Sequence, residues 1–239
     1  MYRNKKILAI IGSRSGSKSV KDKNLIKING KPLLYWIIKK ALKSKYLDKI
    51  YVSTDSKKYQ KLAIKFGALC PELRPKYLSK DQSKEIDYVL HTIQYLKKNK
   101  IFKPDYVVRL QPTSPFQSSS DIDQSIKKIV NDQKATSLQV VSESTQPPFK
   151  ALKLYNKKYL KPYYSSSKNN NVINRQKLNK AYYRSNIIIS KIDFLLKKKC
   201  QIGHQSLIYE IPMIRSIDIN NLHDIEIAKA INSLYKFLK

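Results

Sequence analysis

An unbroken apolar run near the start of the chain, Ile7–Ile11, is closed at once by Gly12. Five residues are too few for a buried helix, and apolar side chains at every position exclude a half-exposed strand. Lys6–Ile11 therefore predicts a strand covered on both faces. Such strands belong to parallel sheets sandwiched by helices, and the remaining sequence keeps the matching alternation. Helical spacing recurs over Pro32–Leu42, Ser56–Phe66, Ile86–Lys98, Ser120–Val130, Ile192–Lys198 and Leu222–Leu238. Pro32 suits a first helical turn, and Gly67 suits the cap that ends the second helix. Short segments at Lys49–Ser53, Asp105–Leu110, Ser137–Val141, Ser185–Ser190, Ser206–Glu210 and Arg215–Ile219 predict further strands. The fold expected is α/β, a mainly parallel, open, twisted sheet with helices on both faces. One stretch breaks the rhythm. Residues 146–184 are rich in Tyr, Asn, Ser and Lys and include SSSKNNN at 165–171. They predict an inserted lobe of loops and short antiparallel strands within a single domain spanning 1–239.

At 239 residues, with 41% hydrophobic and 10% aromatic side chains, the chain can bury a core and is not disordered throughout. No apolar run nears the roughly 18–20 residues of a membrane span, and Ile7–Ile11 is too short for a signal-peptide core. Cys70 and Cys200 lie far apart and outside any C-x-x-C pattern, which argues against structural zinc and a disulfide framework. The cytoplasm is the expected compartment. The charge is extreme, with 48 basic residues against 17 acidic ones and a net +31. Seven of the basic residues are arginine and 41 are lysine, spread along the whole chain. A nucleic-acid groove and a solvated basic surface both fit that count. The Lys excess favours the surface, because base readers rely on the arginine fork. The expectation is no specific nucleic-acid partner and no membrane, with a field that attracts anionic substrates.

Ligands of open α/β sheets bind at the carboxyl ends of the strands. The segment that leaves the first strand, Gly12–Asn24 (GSRSGSKSVKDKN), carries small residues that let amides approach an anion. It also carries Arg14, Lys18, Lys21 and Lys23. A polyphosphate cradle and a plain basic loop both fit. The loop is not a Walker A motif, since Ser17 stands where the second Gly belongs, and G-x-G-x-x-G is missing too. Ser53–Ser56 predicts a helix N-cap, with capping the expected role of Asp55. Gln111–Pro115 (QPTSP) suits either contact with a base or sugar edge or a Pro-bounded turn. Asp218, within Ser216–Asn220, suits either Mg²⁺ ligation or helix capping. His91, His204 and His223 lack metal-ligand spacing, and no Ser-His-Asp triad is supported. Cys200 is expected to be a partly buried structural thiol rather than a reactive one.

In order, these segments resemble the acylneuraminate cytidylyltransferases, or CMP-sialic acid synthetases, and related enzymes for other nine-carbon sugar acids. That family opens with A-R-x-G-S-K-G-(x)3-K-N, and here Ser13–Ser19 (SRSGSKS) leads to Lys23-Asn24. The likeness continues through Asn29–Leu34 (NGKPLL), Val52–Ser56 (VSTDS), Leu73-Arg74-Pro75 and Leu110–Pro115 (LQPTSP). It resumes at Pro148-Phe149-Lys150, Arg175-Gln176, Arg184-Ser185-Asn186 and Ser216–Ile219 (SIDI). The resemblance implies a Rossmann-like nucleotidyltransferase with a dimerisation lobe. It implies CMP transfer from CTP to a 2-keto sugar acid, release of pyrophosphate, use of Mg²⁺ or Mn²⁺, and a homodimer. By the same resemblance Arg14, Lys23 and Asp218 are catalytic, and Gly16, Ser17, Lys18, Asn24, Arg74, Glu85 and Gln111 join Arg14 and Lys23 around the nucleotide. Gln111, Thr113, Ser114, Lys150, Arg175, Arg184 and Asn186 would contact the sugar acid, and Asp218 with Asn220 the metal. The chain departs from the family pattern at Ser19 in place of Gly, and at Ser185-Asn186-Ile187 in place of R-P-N-G continuity. It departs again at Ser190 where an aromatic often meets the sugar, at Glu85 where a small hydroxyl is common, and at Asn220 in place of the second Asp of D-x-D. Two alternatives are activation of an eight-carbon 3-deoxy-octulosonic acid and a degenerate, basic nucleic-acid-binding relative.

Overall fold

The computed structural model describes every residue except Lys18, Pro147, 165–178 and Lys239. The chain runs β1 (Ile7–Gly12), β2 (Lys27–Ile28), β3 (Lys31–Pro32), α1 (Leu33–Lys43), β4 (Lys49–Ser53), α2 (Lys57–Lys65) and α3 (Glu85–Lys98). It continues through β5 (Tyr106–Leu110), α4 (Ser119–Asn131), β6 (Ser137–Glu143), β7 (Leu152–Tyr155), β8 (Tyr159–Pro162) and β9 (Tyr182–Lys191). It ends with α5 (Ile192–Lys198), β10 (Ser206–Glu210) and α6 (Leu222–Tyr235). A six-stranded sheet has the order β10-β6-β9-β5-β1-β4. β1 pairs in parallel with both β4 and β5, and β10 in parallel with β6.

Alternation along β1 explains the two covered faces. Ile7, Ala9 and Ile11 pack with Leu34, Ile37 and Ile38 of α1, Tyr59 of α2, and Ile122, Ile126 and Ile129 of α4. Leu8 and Ile10 face the other way, onto Val89, Ile93 and Leu96 of α3 and Leu195 of α5. Every one of these side chains is at least nine-tenths buried, and each leucine, isoleucine and valine among them contributes roughly 1.5–3 kcal/mol of transfer free energy. Ser56 caps α2 by accepting from Tyr59 N–H, and Gly67 follows the helix with φ +98°, which relieves the Cβ clash that an L side chain would meet there.

β9 breaks the parallel pattern. It lies between β5 and β6, antiparallel to both, so the sheet is mixed although mostly parallel. The expected strand at Arg215–Ile219 does not form. Met213–Arg215 is a single 3₁₀ turn following Pro212, and Arg215 is engaged with the buried Asp121 at 3.1 Å. The segment then passes the carboxyl edge of the sheet, where Ile219 N–H donates to the Thr113 carbonyl at 2.9 Å. Ile219 packs with Ile225 and Ala228 of α6 against Ile28, Leu33 and Trp36. Of 146–184, the described part holds the antiparallel β7–β8 hairpin and the start of β9. No helix among the described residues is long and apolar enough to cross a membrane.

Register sets the site. Gly12 pairs with Ser53, and Ile11 with both Val52 and Leu110, so β1, β4 and β5 end along one edge and release three loops side by side. Beneath the third loop sits Lys40, on α1, partly buried with its Nζ donating to the Pro115 carbonyl. Burial, opposed by Asp121, pulls its pKa from the usual lysine range down to about 7. The unfolded chain therefore holds more protons than the native one between about pH 7 and pH 10, and this group adds stability as pH rises through that window. Replacing Lys40 by Met should flatten the pH dependence of the melting temperature there and raise the melting temperature near pH 7. An unchanged slope would mean that Lys40 is not the group responsible.

Candidate active site

The loop after β1 is held from two sides. Ser13 N–H extends the ladder to the Ser53 carbonyl at 2.9 Å. The Asp55 carboxylate then accepts from Ser15 N–H at 2.8 Å and from the Ser15 hydroxyl at 2.9 Å. Asn24, buried, donates from its amide to the Arg14 carbonyl at 3.1 Å. Asp55 was expected as a helix cap, but Ser56 fills that role and Asp55 is a strut for the loop. Both jobs offer a carboxylate to backbone amides, so their sequence signal is the same.

Between the three loops lies a cleft of about 260 Å³, lined by Gly12, Arg14, Ser17, Lys23, Asn24, Arg74, Glu85, Gln111 and Thr113 among others. Arg14 Nη1 pairs with Asp81 at 2.8 Å, with both side chains more than a third exposed. Exposed ion pairs of this kind contribute only ~0–1 kcal/mol, so Arg14 can exchange Asp81 for an incoming anion at small cost. Lys23 is half-buried. Burial holds its ammonium below the usual lysine range, nearby Arg14 adds to this, and Asp218 and Asp224 oppose it. Lys23 thus lies within electrostatic reach of both Arg14 and the carboxylates Asp218 and Asp224.

Arg74 is buried and spends two donors on Ser53, Nε to the hydroxyl at 3.0 Å and Nη2 to the carbonyl at 2.6 Å. Its guanidinium lies over the Tyr88 ring at 4.2 Å. Tyr88 in turn fits under Gly12, where an added Cβ would stand 2.5 Å from the phenolic oxygen. Gly12 is therefore required by this contact, not by its backbone angles. Glu85, the first residue of α3, accepts from Arg109 Nη1 at 3.2 Å and from the Gln111 amide. Tyr88, Arg109 and Asp81 are not singled out by the sequence, Gly12 enters there only as the start of the Gly12–Asn24 segment, and Asp55 only as a cap, although the shared carboxyl edge of β1 and β4 gives a reason to consider it.

A second cluster joins the cleft along the QPTSP loop. Asn186 donates from its amide to the Ser114 hydroxyl at 2.7 Å and to Asp218 Oδ1 at 2.8 Å. Asn220 donates to Asp218 Oδ2 at 3.1 Å. Helix capping falls instead to Asn221 and Asp224, which form a reciprocal capping box at the start of α6. Asp218 is thus left facing the Ser114–Asn186 side. The remaining expectations divide. Gly16 is exposed in the loop and outside the cleft lining, Lys150 is exposed at the end of a 3₁₀ turn, and Arg184 is exposed on β9 opposite Val141. Lys18 and Arg175 lie outside the described residues. Ser190 is corrected. It pairs with Val107 toward the opposite end of β5 and donates to the Gln201 carbonyl at 2.6 Å, far along the sheet from the cleft. Cys200 is corrected too, being exposed, while Cys70 is the buried thiol.

Residues 8–230 match the profile of the family described as Cytidylyltransferase. The chain belongs to the cytidylyltransferase family. It is 30% identical over 231 residues to an N-acylneuraminate cytidylyltransferase of Escherichia coli, with 93% of this chain and 51% of that protein covered. It therefore spans about half the length of that relative. A pseudaminic acid cytidylyltransferase of Campylobacter jejuni is 32% identical over 244 residues, with 97% of both chains covered. Among solved structures, a CMP:2-keto-3-deoxy-manno-octonic acid synthetase complexed with CTP superposes with a TM-score of 0.71 at 14% identity, covering 96% of this chain and 99% of that one. That likeness shows the cytidylyltransferase fold. The 30% and 32% matches extend over nearly the whole of this chain, cleft included.

Proposed function

We propose that this cytidylyltransferase transfers CMP from CTP to a nonulosonic, sialic-type sugar acid with release of pyrophosphate, acting in the cytoplasm. The observation that carries the reading is the convergence of Arg14, Lys23, Asn24, Arg74 and Gln111 on one cleft, in a chain whose relatives act on N-acylneuraminic and pseudaminic acids. The sugar's anomeric hydroxyl forms a bond to the α-phosphorus and gives up its proton to solvent as the bond from that phosphorus to the bridging oxygen breaks, and pyrophosphate leaves with that bond's electron pair. Such a transfer needs positioning and neutralisation of charge more than covalent help. Arg14 and Lys23 neutralise the triphosphate. The Asp55 strut fixes the loop around Ser15 before the substrate arrives, so little reorganisation of that loop remains for the transition state. Ser114, Asn186 and Thr113 line the side on which the sugar acid would dock, with Arg175, Arg184 and Lys150 as candidate partners for its carboxylate.

The donor set suits Mg²⁺. Asp218 uses two of its roughly four acceptor positions on Asn186 and Asn220, which leaves room for an ion that takes one or two carboxylates and completes its shell with phosphates and water. Asp218 would hold it, the Asn220 amide, whose nitrogen now donates to Asp218 Oδ2, would turn its oxygen to the ion to serve as a neutral second ligand, and the ion would supply charge neutralisation of the triphosphate. The β7–β8 hairpin supports the homodimer expectation. Leu152, Leu154, Tyr159, Leu160, Tyr163 and Tyr164 are each more than half exposed there, an apolar surface a second subunit would cover. The experiment that tests the reading is pyrophosphate release from CTP across a panel of nine-carbon and eight-carbon 2-keto acids and neutral hexoses. Turnover is expected with a nonulosonic acid, less with 3-deoxy-octulosonate and none with hexoses. A preference for the eight-carbon acid would transfer the assignment to that alternative.

A further inference from the structure

Two carboxylates line the cleft among the described residues, Asp81 and Glu85, within a wall otherwise supplied with Arg14, Lys23, Arg74 and Lys80. Asp81 is paired with Arg14. Glu85 differs. Both of its hydrogen bonds, from Arg109 Nη1 and from the Gln111 amide, converge on Oε1. Oε2 takes no hydrogen bond from the described residues. The Arg109 guanidinium is buried, with its side chain 4% exposed, while Glu85 remains 47% exposed. The carboxylate is therefore anchored on its inner side and open on its outer one.

A fixed carboxylate repels a triphosphate, so the part of a nucleotide that Glu85 can face is a neutral part bearing N–H or O–H donors. Cytosine carries such a donor in its 4-amino group, and a carboxylate accepting from that group is a standard base-reading pair. Uracil presents an oxygen at the same place, which would meet the carboxylate as acceptor against acceptor. We propose that Glu85 selects cytosine over uracil by accepting a hydrogen bond from the 4-amino group of the CTP base on Oε2. This rests on the CTP reading above. The competing role is that Glu85 serves only as counter-charge to Arg109 and orients Gln111.

The test is calorimetric binding of CTP and UTP to the wild type and to Glu85→Gln, with no sugar present. The glutamine keeps an oxygen for Arg109 and offers an N–H that uracil can accept. The CTP-to-UTP affinity ratio should fall by about 10-fold or more in the variant, the scale of one lost base-reading pair. Equal weakening of both nucleotides would mean a ribose or counter-charge role and overturn the proposal, as would an unchanged ratio. If the variant does not fold, the wild type alone decides. It should bind CTP about 10-fold or more tightly than the analogue with hydrogen in place of the 4-amino group, and equal affinity overturns the proposal. Failure of the wild type to bind CTP at all would sink the CTP reading together with it, whereas CTP binding with an unaltered ratio sinks the role of Glu85 alone.

Discussion

Substituting Asp218 by Asn is expected to lower turnover by about 10³-fold while leaving the melting temperature nearly unchanged. The loss is that of a preorganised charge at the reacting centre. Asp218 is not a helix cap, since Asn221 and Asp224 cap α6, so the fold has little need of its charge. The amide of the variant retains an oxygen for one of its two donors, Asn186 or Asn220. Asn220→Asp should act in the opposite sense, lowering the Mg²⁺ concentration at half-maximal rate because a full charge replaces an amide dipole. A magnesium titration of the wild type and both variants measures this. Superimposable curves for wild type and Asn220→Asp would show that position 220 does not ligate the ion.

Arg14→Ala and Lys23→Ala should each reduce turnover by about 10²-fold or more. Neither side chain belongs to the core. Arg14 gives up an exposed ion pair with Asp81, whose loss costs at most ~1 kcal/mol. Lys23 is already disfavoured as an ammonium by burial, so its removal relieves a desolvation penalty in the free protein while taking a cation away from the triphosphate. Kinetic constants measured for both substrates separate the roles. The effect should fall on the CTP KM and on kcat, and wild-type turnover in either variant would remove that residue from the catalytic machinery.

Much of this cleft is legible in the sequence, and the reason is geometric. Three buried strands ending in Gly12, Ser53 and Leu110 bring their loops to one edge by the rules of a parallel sheet, which is why Arg14, Lys23, Arg74, Glu85 and Gln111 share a cleft. The direction of β9 was not legible. A strand buried on both faces reads as the same apolar run whether its neighbours are parallel or antiparallel, and the register, which runs from Tyr106 opposite Lys191 to Arg109 opposite Ile188, settles it. Arg215–Ile219 misled for a related reason. Its alternation is real, but Ile217 and Ile219 serve the small cluster beneath α6 and not a sheet face. Ser190 shows the cost of matching a family position without a register, because its place on β9 puts it toward the wrong end of the sheet. The Asp55 strut and the Arg109–Glu85 pair depend on contacts between residues 24 to 40 positions apart, which no local pattern encodes.

The most direct measurement is the fate of phosphorus from labelled CTP in the presence of a nonulosonic acid. Label at the α-phosphorus should appear in a sugar-linked phosphodiester, and label at the γ-phosphorus should appear in pyrophosphate, in equal amounts. Transfer of γ-label to the sugar, release of α-label as free CMP, or no conversion with any sugar acid would contradict the assignment of this cleft to CMP transfer.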